Sequence, residues 1–301
     1  MLHACYPAGE ALQNTLFNKH VPILSRSDAM SHTCVSPLSL LLTIAVGACQ
    51  AGGERVEHLF QSPDAWIDLT HPFNAETIYW PTAKPFQLET ESEGVTEGGW
   101  YYSAYNFSAS EHGGTHLDAP VHFSEGKNAT DEIPLSRLIG PAVVVDATSR
   151  VVGNADYLVG IGDIEAFEAV HGPIPEGAIL LLRTGWAQRW PDPQSYLGTT
   201  VRGEEGVAQL HFPGLDPAAA QWLVDNRAIV AIGIDTPSID YGQSTTFETH
   251  QILYAENMPG FENVANLELM PETGGYVIAL PMKIEGGSGG PLRIIGVIPG
   301  K

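Results

Sequence analysis

The feature that most constrains the fold is a set of five short apolar runs rich in Val, Ile, Leu and Ala. They are Ala142–Asp146, Ala178–Leu182, Ala228–Ile234, Tyr276–Leu280 and Leu292–Ile298. Runs that are apolar at nearly every position are typical of strands covered on both faces. Helix-forming segments separate some of them, and strands that alternate with helices indicate a single α/β domain.

Two helices are predicted between these runs. Asp163 is placed to cap a helix that continues through Val170 and stops at Gly172. Its buried stripe would consist of Ile164, Phe167 and Val170. Asp216 followed by Pro217 opens the second helix, because proline is favoured at the first helical position.

The charge excludes one class of partner. The chain of 301 residues has 14 Lys and Arg against 35 Asp and Glu, which gives a formal net charge of -21. Nucleic acids and anionic lipids repel so acidic a surface.

Cys5, Cys34 and Cys49 are the only cysteines of the sequence. Chemistry after residue 49 therefore uses oxygen and imidazole groups, without disulfides or thiolates.

The first 48 residues resemble an export leader. Pro37–Ala48 is an uncharged apolar run of secretory length, too short to span a bilayer. It leads into Val46-Gly47-Ala48-Cys49, which resembles a bacterial lipobox. We predict a leader at 1–48 with Met30 as an alternative start, a tether at 49–56 and a catalytic domain at 57–301. This predicts an extracytoplasmic lipoprotein anchored through Cys49; a leader that does not function would leave the chain cytoplasmic.

The segment Glu111–Phe123, EHGGTHLDAPVHF, carries the most chemistry. Its four metal-binding or proton-transferring side chains are His112, His116, Asp118 and His122. The Gly113-Gly114 pair argues against a helix, so we predict a strand. Its even-numbered residues, from His112 to Asp118, would then share one face, where Gly114 would leave room for a bound ion. Pro120 would end the strand and turn His122 back over the site. The alternative is a polar strand whose histidines face solvent.

A serine-hydrolase motif is also present but lacks its context. Gly286–Gly290 satisfies Gly-x-Ser-x-Gly, which in those enzymes requires a helix directly after the serine. Pro291 and a strand-like run follow instead, so we predict a turn between two strands.

HGGTHLDAPVH resembles the His-x-Gly-Thr-His-x-Asp-x-Pro-x-His signature of the metal-dependent cyclase family, which includes bacterial kynurenine formamidases and isatin hydrolases. Further segments resemble blocks of that family in the same order, namely 68–70, 79–81, 182–186, 233–240 and 281–293. The resemblance implies a swivelling β/β/α-type single domain, usually assembled as a homodimer or tetramer.

The resemblance also implies roles for individual residues. His112, His116 and Asp118 would bind a first divalent metal, Zn²⁺ or Mn²⁺, and His122 would donate and accept protons. His250 and Glu262 match the pair that binds a second metal in the formamidases, where the counterparts of Asp118 and Glu262 bridge both ions. Without the resemblance, that pair would be weak evidence. Trp80 resembles a substrate-stacking tryptophan, with core packing beside Pro81 as the alternative.

The implied function is hydrolysis of an aryl amide by metal-activated water, with N-formylkynurenine as the model substrate. An isatin hydrolase-like opening of a cyclic amide or lactone is the first alternative. Isatin hydrolases lack a carboxylate at the position of Glu262 and use one metal, so Glu262 favours the formamidase branch with two. A third hypothesis is an extracytoplasmic binding protein without turnover, against which His122 argues. The segments 88–100 and 188–211 are longer than a minimal formamidase needs, and we expect both near the mouth of the site.

Overall fold

The computed structural model describes residues 62–300. The leader, Cys49 and the tether lie outside the described residues, so the predictions made for them stay predictions. Within 62–300, every helix is too short or too polar to cross a bilayer.

The described residues contain twelve strands and six α-helices. The strands are β1 (Trp66–Asp68), β2 (Gln87–Val95), β3 (Tyr101–Ser108), β4 (His116–Asp118), β5 (Ile139–Asp146), β6 (Leu158–Val159), β7 (Ile179–Arg183), β8 (Gly214–Leu215), β9 (Ala231–Ile234), β10 (Gly260–Glu262), β11 (Gly275–Pro281) and β12 (Gly289–Val297). The helices are α1 (Thr148–Val151), α2 (Ile161–His171), α3 (Pro193–Leu197), α4 (Glu204–Val207), α5 (Pro217–Asn226) and α6 (Glu248–Ala255). Short 3₁₀ turns lie at Pro63–Ala65, Pro120–His122, Leu135–Arg137, Trp186–Arg189 and Leu267–Leu269.

Eight strands form one mixed sheet that closes into a barrel. Their order is β1-β12-β11-β5-β7-β9-β10-β4, and β12 also pairs with β4. The pairs β5–β7, β7–β9 and β9–β10 are parallel. The other pairs of this sheet are antiparallel. All five predicted apolar runs contribute strands to this barrel, which confirms the single α/β domain.

Alternate side chains of the central strands serve two cores. Val143 and Leu180 pack in a cluster that includes side chains of α2 and α5, whereas Val144 and Leu181 pack with Phe261 inside the barrel. Two buried faces explain why these runs are apolar at every position. The prediction of covered faces was wrong for β11, where the alternate side chains Tyr276 and Leu280 face solvent and are 47% and 43% exposed.

The two predicted helices exist, and the prediction for the first of them needs two corrections. Helix α5 begins at Pro217, and Asp216 Oδ1 accepts the N–H of Ala218 at 2.8 Å, as expected of an N-cap. Helix α2 begins before Asp163, whose Oδ2 reaches back to accept the Gly160 N–H at 2.8 Å. Asp163 is therefore the third helical residue of a capping box rather than the cap. Val170 does not belong to the buried stripe, because the last turn of α2 leaves it 76% exposed.

Strands β2 and β3 form a separate hairpin, and most of their residues are exposed. The predicted long segment 88–100 lies in this hairpin. The hairpin is inserted between Ala83 and Ser110, two residues that line the cavity described below.

Candidate metal centre and active site

Two neighbouring barrel strands supply the centre of the site. Strand β4 pairs antiparallel with β10, and His116 lies opposite Glu262 in the register. His116 and Asp118, two residues apart on β4, project to the same side as predicted. The Nε2 atom of His116 is 3.1 Å from Asp118 Oδ1 and 3.3 Å from Glu262 Oε2. All three side chains are almost fully buried.

His112 reaches the site by a different route from the one predicted. The strand begins only at His116, because Gly114 adopts a left-handed φ of 59° and turns the chain. The turn places His112 Nδ1 2.7 Å from Asp118 Oδ1. The expected role of Gly114 was also wrong. A Cβ at Gly114 would lie 2.7 Å from the Phe73 ring, so the glycine accommodates this aromatic side chain rather than an ion.

His122 turns back over the site, as predicted. It ends the 3₁₀ turn Pro120–His122, and its ring stacks on that of His112 with centroids 3.9 Å apart. Its Nε2 atom is 4.0 Å from Asp118 Oδ2. Burial lowers the pKa of His122 to about 4, so the imidazole is neutral at pH 7 and able to accept a proton.

His250 enters from helix α6. Its Nε2 atom lies 3.2 Å from Glu262 Oε1 and 3.4 Å from Asp118 Oδ2. Its Nδ1–H donates to Asp240 Oδ2 at 2.5 Å, which fixes the ring and directs Nε2 towards the site. One helical turn further on, the Tyr254 hydroxyl donates to Asp118 Oδ2 at 3.1 Å.

Asp240 and Tyr254 were not predicted from the sequence. Tyr254 follows His250 by four residues, a spacing that places both on one helix face. Asp240 closes the sequence block 233–240. These two signals were available, but no pattern linked them to the segment around Asp118.

The buried groups fit a divalent metal. Two sets of three side chains place one ligand atom each within 4.8 Å of one another: His112, Asp118 and His122, and His116, Asp118 and Glu262. His116 Nε2 is buried and has no hydrogen-bond partner, although two carboxylates lie beside it. Imidazole and carboxylate donors suit Zn²⁺ or Mn²⁺.

The carboxylates are held in the charged form that a cation requires. Burial raises the pKa of Asp118, but the charge of His112 and hydrogen bonds from the surrounding histidines outweigh it and hold that pKa well below its usual range. Burial and the charge of Asp118 raise the pKa of Glu262, yet the adjacent imidazoles of His116 and His250 lower it overall. Conversely, burial lowers the pKa of His116, and its two carboxylate neighbours raise it to about 10.

These groups open into a cavity of about 330 Å³, within the usual size range of small-molecule sites. Trp80, Phe123 and Phe247 contribute aromatic walls. Trp80 is half-buried and packs near Phe212 and Phe247, with centroids 6.3 and 6.2 Å away, so it both lines the cavity and contacts the core. The segments 88–100 and 188–211 contribute no lining residue, because they fold into the hairpin and into turns and short helices outside the cavity wall.

Comparisons with known proteins agree with this architecture. Residues 67–241 match the family model described as putative cyclase. An isatin hydrolase from Roseibium aggregatum is 35% identical over 197 residues, covering 63% of this chain and 72% of the relative. A kynurenine formamidase from Bacillus thuringiensis is 30% identical over 240 residues, covering 76% and 96%. The solved structure of isatin hydrolase A from Ralstonia solanacearum gives a TM-score of 0.72 at 31% identity, covering 84% of this chain and 100% of that one.

The closed barrel with its buried imidazole–carboxylate cluster defines a metal-dependent hydrolase. The related isatin hydrolase and kynurenine formamidase act on carbon–nitrogen bonds other than peptide bonds. The chain belongs to the cyclase family, as its resemblance in sequence had indicated.

Proposed function

We propose that this chain hydrolyses an aryl amide, with an aryl formamide such as N-formylkynurenine as the first candidate substrate. The observation that carries the proposal is the meeting of Glu262 with His116, His250 and Asp118 beside an aromatic-walled cavity. The resemblance to the formamidases implies that a carboxylate at this position holds a second metal ion.

The proposed cofactor is a pair of divalent ions, Zn²⁺ or Mn²⁺. His112, His116 and Asp118 would hold the first ion, and His250 and Glu262 would hold the second together with Asp118. When bound, such ions lower the pKa of water and stabilise negative charge that develops on a carbonyl oxygen.

The protein residues orient the substrate and move protons. Trp80 and Phe123 offer aromatic surfaces against which an aryl ring packs. His122, neutral at pH 7 and partly exposed, takes a proton during attack on the carbonyl and delivers it to the leaving amine nitrogen. Asp240 holds the His250 ring in place, and Tyr254 donates a hydrogen bond to Asp118.

A second candidate substrate is a cyclic aryl amide of the isatin type. The supporting observation is the similarity itself, since an isatin hydrolase is 35% identical and another gives a TM-score of 0.72. Here the ring nitrogen remains attached to the product, but His122 would deliver the same proton.

Turnover of both substrates by the metal-loaded full chain tests the proposal. We expect hydrolysis of N-formylkynurenine, followed through kynurenine absorbance, and its loss after removal of metal by a chelator. Turnover of isatin alone would move the assignment to the second candidate. Failure to hydrolyse either substrate, with metal bound, would contradict the proposal.

We also propose that two copies of the chain associate through the β2–β3 hairpin. One face of the hairpin is mainly apolar, because the register places Leu88 opposite Phe107 and Val95 opposite Tyr101, with Tyr105 between them on β3. These five side chains are 44–74% exposed. Glu93, opposite Ser103, is the one charged side chain on this face. An isolated two-stranded hairpin is marginally stable in water, so an exposed apolar face on one favours a partner.

A second copy fits this surface by area. The five side chains expose roughly 400–500 Å² of apolar surface per chain, at about 200 Å² for a full aromatic side chain. Two such faces packed about a two-fold axis supply roughly half of a standard interface of about 1,600 Å².

Finally, we propose that the chain is exported and lipidated at Cys49. The support is the apolar run at 37–48, which ends in the small residues Gly47 and Ala48 immediately before the cysteine. The lipid would then hold an acidic domain at a membrane for which it has no electrostatic affinity.

A further inference from the structure

The turn that resembles a serine-hydrolase motif lies against the candidate metal centre. Ser288, at the centre of Gly286–Gly290, is followed by strand β12 and not by a helix, so it does not occupy a nucleophile elbow. Its Oγ atom lies 2.6 Å from Glu111 Oε2 and 2.9 Å from His112 Nε2. The Ser288 N–H also donates to Glu111 Oε2, at 3.1 Å.

The direction of these hydrogen bonds follows from the groups. A carboxylate accepts only, so the Ser288 hydroxyl donates its proton to Glu111. The Ser288 oxygen is then an acceptor, and His112 donates to it through Nε2–H. When His112 is the neutral imidazole that a metal ion requires, this tautomer leaves Nδ1 unprotonated, 2.7 Å from Asp118 Oδ1. Nδ1 and Asp118 Oδ1 are then both able to bind the same cation.

The backbone of the turn is shaped to bring these groups together. A Cβ at Gly287 would lie 2.8 Å from Glu111 Oε1, and a Cβ at Gly289 would lie 2.6 Å from His112 Cε1. Thr130 anchors the turn through its N–H and hydroxyl, both of which donate to Gly287 O at 2.9 Å. The N–H of Ala119, which directly follows Asp118, donates to Ser288 O at 2.8 Å and joins the turn to the end of β4.

We propose that Ser288 and Glu111 are positioning residues that fix the tautomer and orientation of His112, so that its Nδ1 atom binds the first metal ion. The proposal rests on the assignment of His112 as a ligand under the proposed function. Under this proposal the Gly-x-Ser-x-Gly segment supports metal binding, and Ser288 forms no covalent bond with the substrate.

Metal affinity is the deciding measurement. The affinity of the full chain for Zn²⁺ is measured by competition with a chromophoric chelator. Ser288→Ala and Glu111→Gln are expected to weaken binding of the first ion by about 10–100-fold, the usual effect of removing a partner of a metal-bound histidine. Ser103→Ala, on the exposed hairpin, is the matched control and should not change it. Circular dichroism of the metal-free variants verifies that they are folded.

Turnover at saturating Zn²⁺ separates positioning from nucleophilic catalysis. Positioning predicts that Ser288→Ala regains most of its kcat once the metal is saturating. Loss of kcat with full metal occupancy would instead make the hydroxyl a participant in the reaction and overturn the proposal.

His112→Ala distinguishes failure of this proposal from failure of the proposed function. If His112→Ala loses the first ion while both Ser288→Ala and Glu111→Gln bind it normally, the positioning role is wrong and the metal site stands. If His112→Ala binds both ions with unchanged affinity, the assignment of the site itself is wrong.

Discussion

His116 and Glu262 lie directly opposite each other on adjacent antiparallel strands, and their Nε2 and Oε2 atoms are 3.3 Å apart. The separation is set by the backbone register of β4 and β10 rather than by a loop. Both side chains are almost fully buried, so the strand pairing of the barrel itself places these two groups side by side.

Glu262→Ala is expected to lower the metal content from two ions per chain towards one. The variant removes a carboxylate assigned to the second ion, whereas His112, His116 and Asp118 remain to hold the first. Metal per chain is measured by mass spectrometry on protein purified without chelators. Glu268→Ala, at an exposed position, is the control. An unchanged metal content in Glu262→Ala would exclude Glu262 from the site.

His122→Ala is expected to lower kcat by at least about 100-fold while the metal content persists, because proton transfer is lost and the ligands are kept. Turnover and metal content are measured on the same sample. His211→Ala is the control, since the side chain of His211 is 49% exposed and lies outside the cavity. Parallel loss of metal and activity would instead identify His122 as a metal ligand. This is a specific alternative, because His122 lies beside His112 and Asp118.

The neutral imidazole of His71 is expected to make stability fall with acidification. Its ring stacks on Trp190 with centroids 4.3 Å apart, and burial lowers its pKa from 6.5 to about 4. Between these two pH values the unfolded chain binds more protons than the folded one, so the free energy of unfolding falls as the pH drops from 6.5 to 4. The contribution of this group is at most about 3 kcal/mol.

The substitution His71→Phe isolates this effect, because phenylalanine stacks without titrating. Urea unfolding at pH 7 and pH 5 should show a smaller loss of stability in the variant than in the wild type. Equal losses would mean that His71 does not contribute to the pH dependence.

Tyr105→Asp is expected to dissociate the proposed dimer, because it buries a charge in the apolar face of the hairpin. Tyr102→Asp is the matched control, since Tyr102 is similarly exposed but projects from the opposite face of β3. Sedimentation velocity of both variants measures the assembly. A dimer that survives Tyr105→Asp, or a wild-type chain that is monomeric at micromolar concentration, would refute this interface.

Cys49→Ser is expected to abolish incorporation of labelled palmitate when the full chain is expressed in a bacterium with lipoprotein processing. The wild-type chain should carry the label and fractionate with membranes. Cys34→Ser leaves the lipobox-like residues intact and should behave as the wild type. Absence of label from the wild type would leave the export prediction without support.

The sequence predicts the parts of the site that share one short segment. His116 and Asp118 follow the alternation of a strand, and a proline turn returns His122, so local rules suffice. His112 departs from the same rule, because the left-handed Gly114 interrupts the strand. The resemblance to the cyclase family supplied His250 and Glu262, which local patterns alone supported weakly.

The groups that hold the ligands in place could not be predicted in this way. Ser288 and Asp240 are far from Asp118 in sequence and approach the centre only when the barrel closes. Their contacts depend on the order of strands, which no local periodicity encodes. The exposure of one side of β11 could not be predicted either, because an apolar run does not indicate which elements pack against each face of a strand.

The pairing of β12 with β4 has a consequence for how the chain acquires its shape during synthesis. Strand β12 is the last of the described strands in chain order, so the ribosome releases the element that closes the ring after all the other strands of the barrel. Until then the strand that carries His116 and Asp118 has an open edge, and Ser288 is not in place. Co-translational folding can assemble the parallel strands first, but the metal-binding centre is completed only after β12 has emerged.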